Sequence, residues 1–345
     1  MFKYSVKPGD TLYSIARRFS ISINEILVAN LQINNPALIF PGMVINVPYT
    51  GSIVYTIQPY DTLYLISNKF GVTLSSLVQA NPGINPSKLL IGMQIFIPIS
   101  PINVFPTYNI VGISDKLTQV QKNNITSWRD FIVQFAKNHP NEVYIHGPNF
   151  RNAVALTFDD GPNLTITPSV LDILKQYNVK AGFFFLGSNV NLYPQIVRRA
   201  YSEGNLILNH SWNHPNFTNE DLTSVRDQII MTEESIRRII GVRPTFVRPP
   251  YGAINERVLP VITDTNNKAV IWSIDSMDWV QNVDKNTIVK NILDNVRPGD
   301  IVLLHSYPNL NETLEALPEI IIGLRARGYN ILNPAELLGI NPYKL

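Results

Sequence analysis

Two patterns of apolar and polar residues divide this chain of 345 residues. In the first hundred residues, short alternating segments are followed by apolar residues at helical spacing, which predicts small strands and short helices. In the second half, apolar runs alternate with longer amphipathic stretches, which is typical of strands joined by helices. We therefore expect two small modules at 1–50 and 51–99, a linker and helical extension at 100–150, and a large domain at 151–345.

The first hundred residues contain the same unit twice. Residues 4–15 align with residues 55–66, and residues 41–48 align with residues 91–98. In each copy a short alternating segment is followed by Asp-Thr, whose oxygens can cap a helix. Two helical stretches, a glycine and a closing strand complete the unit. The predicted order is strand, helix, helix, strand, or βααβ.

The opening at residues 9–12, the pair Ala29-Asn30 and the ending around Gly42 resemble the LysM family, and the second copy carries the matching residues. The resemblance implies binding to chains of N-acetylglucosamine, in peptidoglycan or chitin. It places the contacts in the loops near residues 9–12 and 30–34 and their counterparts. Two weak sites on one chain would gain avidity for a polymer. The alternative is a pair of packing domains that bind no ligand.

Residues 99–106 contain two prolines and no periodicity, which indicates a short linker. Beyond the linker, apolar residues at helical spacing predict helices near 115–122 and 127–137. We expect these helices to pack on the large domain, and their sequence indicates no function.

The large domain alternates strands with helices. Apolar runs predict strands at 153–158, 181–186, 205–208, 245–247, 269–274, 301–304 and 329–332. Amphipathic stretches predict helices at 168–177, 193–203, 221–240, 255–263, 285–295 and 314–327. This alternation predicts an α/β domain whose parallel sheet is closed, or nearly closed, into a barrel.

Titratable residues follow five of the predicted strands. They are Asp159 with Asp160, His210, Arg248, Asp275 and His305. Because the C-terminal ends of the strands form the active face of such barrels, we expect these side chains to share one mouth.

His210 and His214 are four residues apart and can face one metal ion. Alone, the pair is as easily a solvated or core pair, so a third ligand is needed. Without cysteine that ligand should be a carboxylate, and Asp159 and Asp160 are the candidates. Successive residues leaving a strand point in different directions, so one aspartate can bind the ion while the other stays free as a general base. The cation would lower the pKa of a bound water molecule.

Hydrolysis of an amide also needs an acid for the leaving nitrogen, and His305 fits that need. A carboxylate bonded to His305, either Asp275 or Asp278, would raise its pKa. Arg248 stays protonated and can hold the base ionised. Structural alternatives remain: Asp159 could cap a turn, and His305 could be a buried structural histidine.

Five ordered motifs resemble NodB-type polysaccharide deacetylases, which form carbohydrate esterase family 4. They are Thr157-Phe-Asp-Asp-Gly-Pro162, His210-Ser-Trp-Asn-His214, Arg248-Pro-Pro-Tyr-Gly252, Ser273-Ile-Asp-Ser-Met-Asp-Trp279 and Leu303-Leu-His305. The resemblance implies a distorted (β/α) barrel and the removal of acetyl groups from a glycan. It also implies a metal ion, usually zinc and sometimes cobalt or another divalent ion.

Matching the motifs residue by residue implies roles at the metal centre. Asp159 resembles the catalytic base, and Arg248 resembles the residue that braces it. Asp160, His210 and His214 resemble the metal ligands.

The same matching implies roles on the acid side and in the substrate groove. His305 resembles the general acid, and Asp275 and Asp278 lie in the motif that tunes the acid and the base. The backbone N–H of Tyr251 would help to bind the oxyanion. The candidate substrate contacts are Leu303, which lines the acetyl pocket, Trp279, which walls the groove, and Pro250. Trp279 and Leu303 are as easily core residues.

Composition excludes several classes of protein. The net charge of +2 gives no electrostatic case for nucleic acid as a partner. The absence of cysteine excludes disulfides and Cys-ligated metals. No apolar stretch approaches the ~20 residues that span a bilayer, and the N-terminus does not resemble a signal peptide. We expect a protein of the cell wall or the extracellular space, or a spore-coat protein deposited without export.

The expected activity is metal-dependent removal of N-acetyl groups from N-acetylglucosamine residues, with peptidoglycan as the preferred substrate and chitin or its oligosaccharides as the alternative. Three rivals remain: a glycosidase, which needs two carboxylates ~5–9.5 Å apart, an iron oxygenase with a two-His, one-carboxylate site, and a glycan-binding protein with an inactive barrel. The sequence leaves the oligomeric state open.

Overall fold

The computed structural model forms two compact units, Met1–Phe105 and Pro106–Leu345. The residues it describes are 2–7, 9–18, 23–30, 32–33, 35, 39–47, 53–59, 61–69, 77–78, 80–81, 84–85, 89–97, 108–149 and 152–344. The predicted linker at 99–106 lies outside the described residues. Within them, no helix has both the length and the apolar character needed to cross a bilayer.

Both small modules follow the predicted element order where the structure describes them. The first contains β1 (Phe2–Ser5), helices Leu12–Arg18 and Ile23–Val28, and β2 (Val44–Val47). The second contains β3 (Ile53–Thr56), helix Leu63–Lys69 and β4 (Gln94–Ile97). In each module the two strands pair antiparallel. Leu77 and Val78 are helical, as predicted for a second helix in the repeat.

A buried asparagine joins the helical part of each module to its closing strand. The Asn30 side chain donates to the carbonyls of Ile26 and Asn46, each at 2.7 Å, and accepts from the Asn46 N–H at 2.7 Å. Asn81 makes the same bonds with Leu77 and Phe96, at 2.6 to 2.8 Å. These amides satisfy backbone groups that would otherwise be buried without partners. Asn30 begins the loop at 30–34 in which ligand contacts are expected, and its own side chain is fully buried and serves the fold.

The threonine of each Asp-Thr pair caps the following helix, whereas the sequence suggested oxygens of both residues. Thr11 Oγ1 accepts from the Ser14 N–H at 3.0 Å, and Thr62 Oγ1 accepts from the Leu65 N–H at 3.1 Å, so threonine is the cap. Asp10 instead accepts from the Tyr4 hydroxyl at 2.6 Å and from the Lys7 N–H. The aspartate therefore closes the turn that precedes the helix.

The described part of the large unit is built on a nine-stranded parallel sheet. The strands of the unit are β5 (Val143–Tyr144), β6 (Ala153–Asp159), β7 (Gly182–Phe185), β8 (Leu206–Asn209), β9 (Arg243–Pro244), β10 (Phe246–Val247), β11 (Lys268–Val270), β12 (Ile274–Asp275), β13 (Ile301–His305), β14 (Asn330–Leu332) and β15 (Tyr343–Lys344). Of these, β9 and β15 form a separate antiparallel pair.

The sheet closes on itself through one stretch of chain. Its strand order is β12-β13-β6-β7-β8-β10-β11-β5, and β14 pairs with the start of β6. Only residues 271–273 separate β11, which pairs with β10, from β12, which pairs with β13. Residues 268–275 therefore join the two sides of the sheet, and the predicted distorted barrel is confirmed.

Helices surround this sheet close to the predicted positions. They are Gln119–Asn138, Ile166–Gln176, Gly187–Leu192, Pro194–Ser202, Leu222–Ile240, Leu259–Asp264, Lys285–Leu293, Asn311–Ala326 and Pro334–Leu338. The helix Gly187–Leu192 was not predicted, because its glycine, serine and asparagines are weak helix formers. Its contacts with helix Leu222–Ile240 override that preference.

Alternate residues of β6 belong to two different hydrophobic cores. Val154, Leu156 and Phe158 pack in the core that includes the surrounding helices. Ala153 and Ala155 pack in the core that includes the neighbouring strands on the barrel interior. Side chains alternate across a strand, so Asp159, two residues further along the same series, is expected on the interior side.

The segment before the barrel forms one long helix, Gln119–Asn138, instead of the two predicted. The prediction broke the helix at residues 123–126, where asparagines and a threonine disfavour helix. A capping box between Thr118 and Gln121 starts the helix, and four buried residues in its second half anchor it: Ile132, Val133, Phe135 and Ala136.

Residues 110–112 lie along β12, and a substitution in this segment can test how closely it packs on the strand. The Val111 N–H donates to Ser273 O at 3.0 Å, and the Asp275 N–H donates to Val111 O at 2.8 Å. Gly112 has φ +119°, and a Cβ there would lie 1.9 Å from Asp275 O. We expect Gly112→Ala to lower the free energy of unfolding by about 3 kcal/mol or more, because the segment must move off the strand.

The matched control is Gly241→Ala, which also has positive φ but has no atom within 4 Å of the added Cβ. It should cost only about 1–2 kcal/mol. Denaturant unfolding followed by tryptophan fluorescence measures both, since all four tryptophans lie in the large unit. Equal losses in the two variants would contradict the close approach of Gly112 to β12.

Candidate active site

The strand ends bring the predicted residues to one rim. Asp159 ends β6, Asp275 ends β12 and His305 ends β13, while His210 and Arg248 directly follow β8 and β10. The cavity at this rim has a volume of about 440 Å³. Its lining residues are Asn124, Ile125, Trp128, Asp159, Asp160, His210, His214, Tyr251, Trp272, Asp275, Trp279, Leu303, His305 and Tyr307.

Asp159 is held from behind by a fully buried arginine. Arg248 NH1 donates to Asp159 Oδ1 at 2.7 Å and to Thr157 Oγ1 at 2.9 Å. Its other nitrogens donate to the carbonyls of Val270 at 3.0 Å and Ile271 at 2.8 Å. Burial lowers the pKa of Arg248 and the charge of Asp159 opposes that effect, so the guanidinium stays charged at neutral pH.

Asp160, His210 and His214 form a cluster that can hold a metal ion, with one ligand atom from each lying within 4.8 Å of the others. Asp160 Oδ1 lies 3.4 Å from His210 Nε2 and 3.3 Å from His214 Nε2. Ligands ~2.1 Å from a tetrahedral ion lie ~3.4 Å from one another, so these separations fit a shared ion. Asp160 Oδ1 is also buried with no hydrogen-bond partner among the described residues. A cation would satisfy it.

Hydrogen bonds and charges set the protonation of the cluster. His210 Nδ1 lies 2.7 Å from the Arg248 carbonyl, so Nδ1 carries a proton and Nε2 is the nitrogen that faces Asp160. Burial and the neighbouring His210 lower the pKa of His214 to about 4. Burial favours a raised pKa at Asp160, but His210 outweighs it and holds that pKa below its usual range. Burial favours a lowered pKa at His210, yet Asp159 and Asp160 raise it, and a bound cation would oppose them.

The backbone is strained where it turns these side chains into the site. Asp160, Ser211, His214, Tyr251 and Met277 all have φ between 60° and 70°. L-residues rarely adopt this left-handed region, and each one costs of order 1–3 kcal/mol. Asp159 and Asp160 diverge because the chain turns between them, so one faces Arg248 and the other faces the histidines.

His305 is paired with Asp278, which settles the choice between the two aspartates. Its Nδ1 lies 2.7 Å from Asp278 Oδ1, and its N–H donates to Asp278 Oδ2 at 2.8 Å. The Thr313 hydroxyl donates to the same Oδ2 at 3.0 Å. Burial favours a lowered pKa, but the charge and hydrogen bond of Asp278 outweigh it and raise the pKa of His305 to about 10. The imidazole is therefore protonated at neutral pH.

Asp275 lines the cavity but has other partners. Its Oδ1 accepts from the Met277 N–H at 3.0 Å and from Trp279 Nε1 at 3.1 Å. Its Oδ2 lies 3.7 Å from the guanidinium of Arg129. Burial raises its pKa, and Arg129 opposes that rise. Asp275 therefore fixes the indole of Trp279 and makes no hydrogen bond with Arg248 or His305.

The remaining predicted residues occupy different layers. Leu303, Trp279 and Tyr251 line the cavity, whereas Pro250 is buried beside it. The Tyr251 side chain is 61% exposed and lies in the short turn Pro250–Gly252.

Sequence reasoning missed six residues that line the cavity or brace it. They are Asn124, Ile125 and Trp128, which line it from the helix, Arg129, which pairs with Asp275, Trp272, which follows β11, and Tyr307, two residues after His305. The apolar spacing of the helix indicates that it packs on the barrel. It does not indicate which face of the helix lies at the rim of the cavity.

Comparisons with known proteins agree with this geometry. The LysM domain model matches residues 4–48 and 55–98, which confirms the two predicted modules. The polysaccharide deacetylase model matches residues 146–270. A chitooligosaccharide deacetylase from a Bradyrhizobium species is 37% identical over 193 residues, which are 52% of this chain and 87% of the relative. This chain belongs to the polysaccharide deacetylase family.

Other members of the family carry peptidoglycan names. A peptidoglycan-N-acetylglucosamine deacetylase of Bacillus cereus is 47% identical over 184 residues, which are 53% of this chain and 66% of the relative. A crystal structure of a peptidoglycan N-acetylglucosamine deacetylase superimposes with a TM-score of 0.59 at 41% identity, covering 61% of this chain and 99% of that one. The chain covers 66% of the length of this B. cereus relative and 39% of the length of several other relatives.

The Asp278–His305 pair predicts a pH-dependent contribution to stability. Because the pKa of His305 is about 10 in the folded protein and 6.5 for an unperturbed histidine, the contribution is full below pH 6.5 and is lost as the pH rises toward 10. Asp278→Asn should therefore unfold at lower denaturant concentration than wild type near pH 6, by about 3 kcal/mol. The difference should shrink between pH 8 and 10.

Asp284→Asn is the matched control, because Asp284 caps an exposed helix end and asparagine can also cap. Its difference from wild type should stay constant between pH 6 and 10. A constant difference in Asp278→Asn as well would contradict the raised pKa of His305.

Proposed function

We propose that this chain is a metal-dependent hydrolase that removes acetyl groups from N-acetylglucosamine residues of peptidoglycan, held on the glycan by its LysM modules. One observation carries the proposal: a buried carboxylate held by Arg248 lies beside an Asp-His-His cluster, and His305 lines the same cavity. These are the parts that amide hydrolysis needs: a base, a metal site and an acid.

The proposed metal ligands are Asp160, His210 and His214. One oxygen and two imidazole nitrogens suit zinc, with cobalt or another divalent ion as alternatives. When bound, such an ion activates water and polarises the acetyl carbonyl. Near neutral pH Asp160 is ionised and His214 is uncharged, as metal ligands must be, and the bond from His210 to the Arg248 carbonyl fixes which nitrogen of His210 can ligate.

Asp159 is the proposed general base. Its Oδ2 lies 3.6 Å from His210 Nε2, so the carboxylate is next to the metal site without being needed as a ligand. The hydrogen bond from Arg248 holds this carboxylate in position. Asp159 takes a proton from water as the water oxygen bonds to the acetyl carbon.

His305 is the proposed general acid. Its raised pKa keeps it protonated before reaction, and Asp278 fixes the ring and its tautomer. As the bond between the acetyl carbon and the amide nitrogen breaks, His305 supplies a proton to that nitrogen. The products are acetate and a free amine on the sugar, so atoms and protons balance.

The remaining candidates would bind substrate. Leu303 and Trp279 supply apolar walls, and the bond from the Trp279 indole to Asp275 fixes one wall. The Tyr251 N–H is the proposed donor to the oxyanion, and the buried Pro250 shapes the turn that carries it. All four roles are proposals drawn from position in the motifs and in the cavity.

Two names among the relatives bear on the substrate. The B. cereus relative and the crystal structure carry peptidoglycan names, and the Bradyrhizobium relative carries a chitooligosaccharide name. We prefer peptidoglycan and keep N-acetylated chitooligosaccharides as the alternative. A glycosidase fits less well, because Asp159 is bonded to Arg248 and Asp160 faces two histidines, so they do not form a pair across a glycosidic bond.

The proposed location is the cell wall or the extracellular space, with the spore coat as a further hypothesis. A fluorescent fusion observed through sporulation tests the hypothesis. Signal on the spore supports it, and signal confined to the vegetative wall or the medium rejects it.

Substitutions at the base and at one ligand should separate chemistry from metal binding. Asp159→Asn should lower the rate of acetate release at least 100-fold while zinc stoichiometry stays near wild type. His210→Ala should weaken zinc binding more than about 100-fold, because losing a ligand costs more than losing a bond behind one. Acetate release from peptidoglycan and elemental analysis of the purified protein measure the two effects.

Asp264→Asn is a control, because Asp264 is an exposed partner of Arg226. It should change neither readout. Full acetate release by Asp159→Asn, or unchanged release after complete removal of metal, would reject the proposed mechanism.

Deleting residues 1–98 should test targeting. The amount bound to insoluble peptidoglycan should fall at least tenfold, because two linked sites gain avidity on a polymer. Acetate release from soluble oligosaccharides should remain near wild type, since the cavity is lined by residues of the large unit. Unchanged binding to insoluble peptidoglycan after the deletion would contradict the targeting role.

A further inference from the structure

One side of the cavity comes from a helix outside the matched deacetylase residues 146–270. Asn124, Ile125 and Trp128, on helix Gln119–Asn138, line the cavity together with the metal-site residues. We call these three residues the helix wall. The proposed acid, base and metal ligands all lie on other elements, so the proposed mechanism assigns no role to the helix wall.

The helix wall is fixed at the rim by three contacts. The Trp128 ring lies 5.3 Å from the Trp272 ring, at an interplanar angle of 32°. A Cβ on Gly252 would lie 2.4 Å from Trp128 Cζ2, so Trp128 occupies the space that only glycine leaves open. Arg129, the next residue, lies 3.7 Å from the buried Asp275. Trp128 therefore has a fixed position next to the turn Pro250–Gly252.

Several buried hydrogen-bond donors at or beside this wall have no partner among the described residues, including Nε and Nη2 of Arg129. The indole nitrogens of Trp128 and Trp272 are buried, and neither has a hydrogen-bond partner within the described part of the chain. Trp272 is only 6% exposed, and both residues line the cavity. A buried N–H without a partner costs about 1–3 kcal/mol, and buried indoles usually find an acceptor. Because both nitrogens are closed off from solvent, the rings offer the cavity apolar surface rather than donors.

The chemistry of the wall favours a neutral sugar. It offers the aromatic surface of Trp128, the apolar side chain of Ile125 and the exposed amide of Asn124. None of the three wall residues carries a charge, and the charge of the neighbouring Arg129 is offset by Asp275, 3.7 Å away. Hydroxyl and N-acetyl oxygens on a sugar ring supply the acceptors, and the ring itself supplies apolar C–H surface.

We propose that the helix wall is a subsite for a second sugar of the glycan, next to the N-acetylglucosamine whose acetyl group is removed. The proposal rests on the proposed deacetylase function and extends it. The segment before the barrel is then part of the substrate-binding surface and selects chains over short fragments. An oligosaccharide that fills both positions binds better than one that fills the reacting position alone.

Kinetics on soluble substrates of different length test the subsite. The substrates are monomeric N-acetylglucosamine, which fills the reacting position alone, and its tetrasaccharide, each at saturating zinc. Wild type should have a higher kcat/KM for the tetrasaccharide. Trp128→Phe removes ring surface and Asn124→Ala removes a hydrogen-bonding amide, so each should lower kcat/KM for the tetrasaccharide about three- to tenfold. They should change the value for the monosaccharide less than twofold.

Asn123→Ala is the matched control. Asn123 is exposed on the same helix, accepts from Gln119 at 2.8 Å and does not line the cavity. It should leave both substrates unchanged. Equal losses on the two substrates in Trp128→Phe would mean that Trp128 only supports the turn beside it, and that result overturns the subsite. Unchanged tetrasaccharide kinetics in both wall variants would overturn it as well.

A binding measurement distinguishes failure of the subsite from failure of the proposed function. The LysM modules contain no tryptophan, so tryptophan fluorescence reports the large unit alone when the tetrasaccharide is titrated. In the Asp159→Asn background the added Asn124→Ala should weaken the fluorescence-detected affinity about three- to tenfold, and added Asn123→Ala should not.

If wild type releases no acetate from either substrate, the deacetylase proposal fails and the titration alone decides the subsite. If acetate is released but Asn124→Ala and Asn123→Ala titrate alike, the subsite fails and the deacetylase proposal stands.

Discussion

Inside the barrel, a guanidinium with no access to solvent meets a carboxylate that is nearly as buried, Arg248 with Asp159. Removing one partner from such a pair costs about 3–5 kcal/mol, because the other charge stays buried and uncompensated. Two kinds of contact stabilise the buried guanidinium. Its remaining N–H groups donate to Thr157, Val270 and Ile271. Its Cζ atom lies 4.0 Å from the centre of the Phe184 ring. The pair ties β6 to β10 and to the closing stretch after β11. The position of Asp160, and hence of the whole metal cluster, follows from where the pair holds the end of β6.

The fold was predictable where one local pattern decides it. Apolar runs and amphipathic stretches placed the strands and helices of the barrel, and the repeated units identified the modules. The errors share a cause: weak local propensity was overridden by packing. Residues 123–126 lie inside one continuous helix because the buried second half of that helix holds them, and Gly187–Leu192 is helical because it packs on a longer helix. Closure of the sheet through residues 271–273 was expected only as a possibility, since no local signal marks where a strand changes partners.

The functional site was also predictable only where local sequence decides it. Motifs within a few residues of each other, such as Asp159-Asp160 and His210 with His214, indicated the metal cluster because their spacing is local. The choice between Asp275 and Asp278 could not be made, because it depends on the left-handed turn at Met277 that sends Asp278 toward His305. Sequence reasoning could not identify Arg129 and Trp128 as site residues. Their partners, Asp275 and Trp272, lie more than a hundred positions away in the chain.

The stretch at residues 268–275 also has a consequence for how the protein assembles. It completes the barrel only when β13 is available to pair with β12, and the early segment docks on it through Val111, which bonds with Ser273 and Asp275 more than 150 residues further along the chain. Contacts of such long sequence separation form slowly. The N-terminal modules can fold as soon as they leave the ribosome, whereas the catalytic rim has to wait for the final part of the chain. Until then its open sheet edges are unprotected, and chaperone assistance would act on this stage of synthesis.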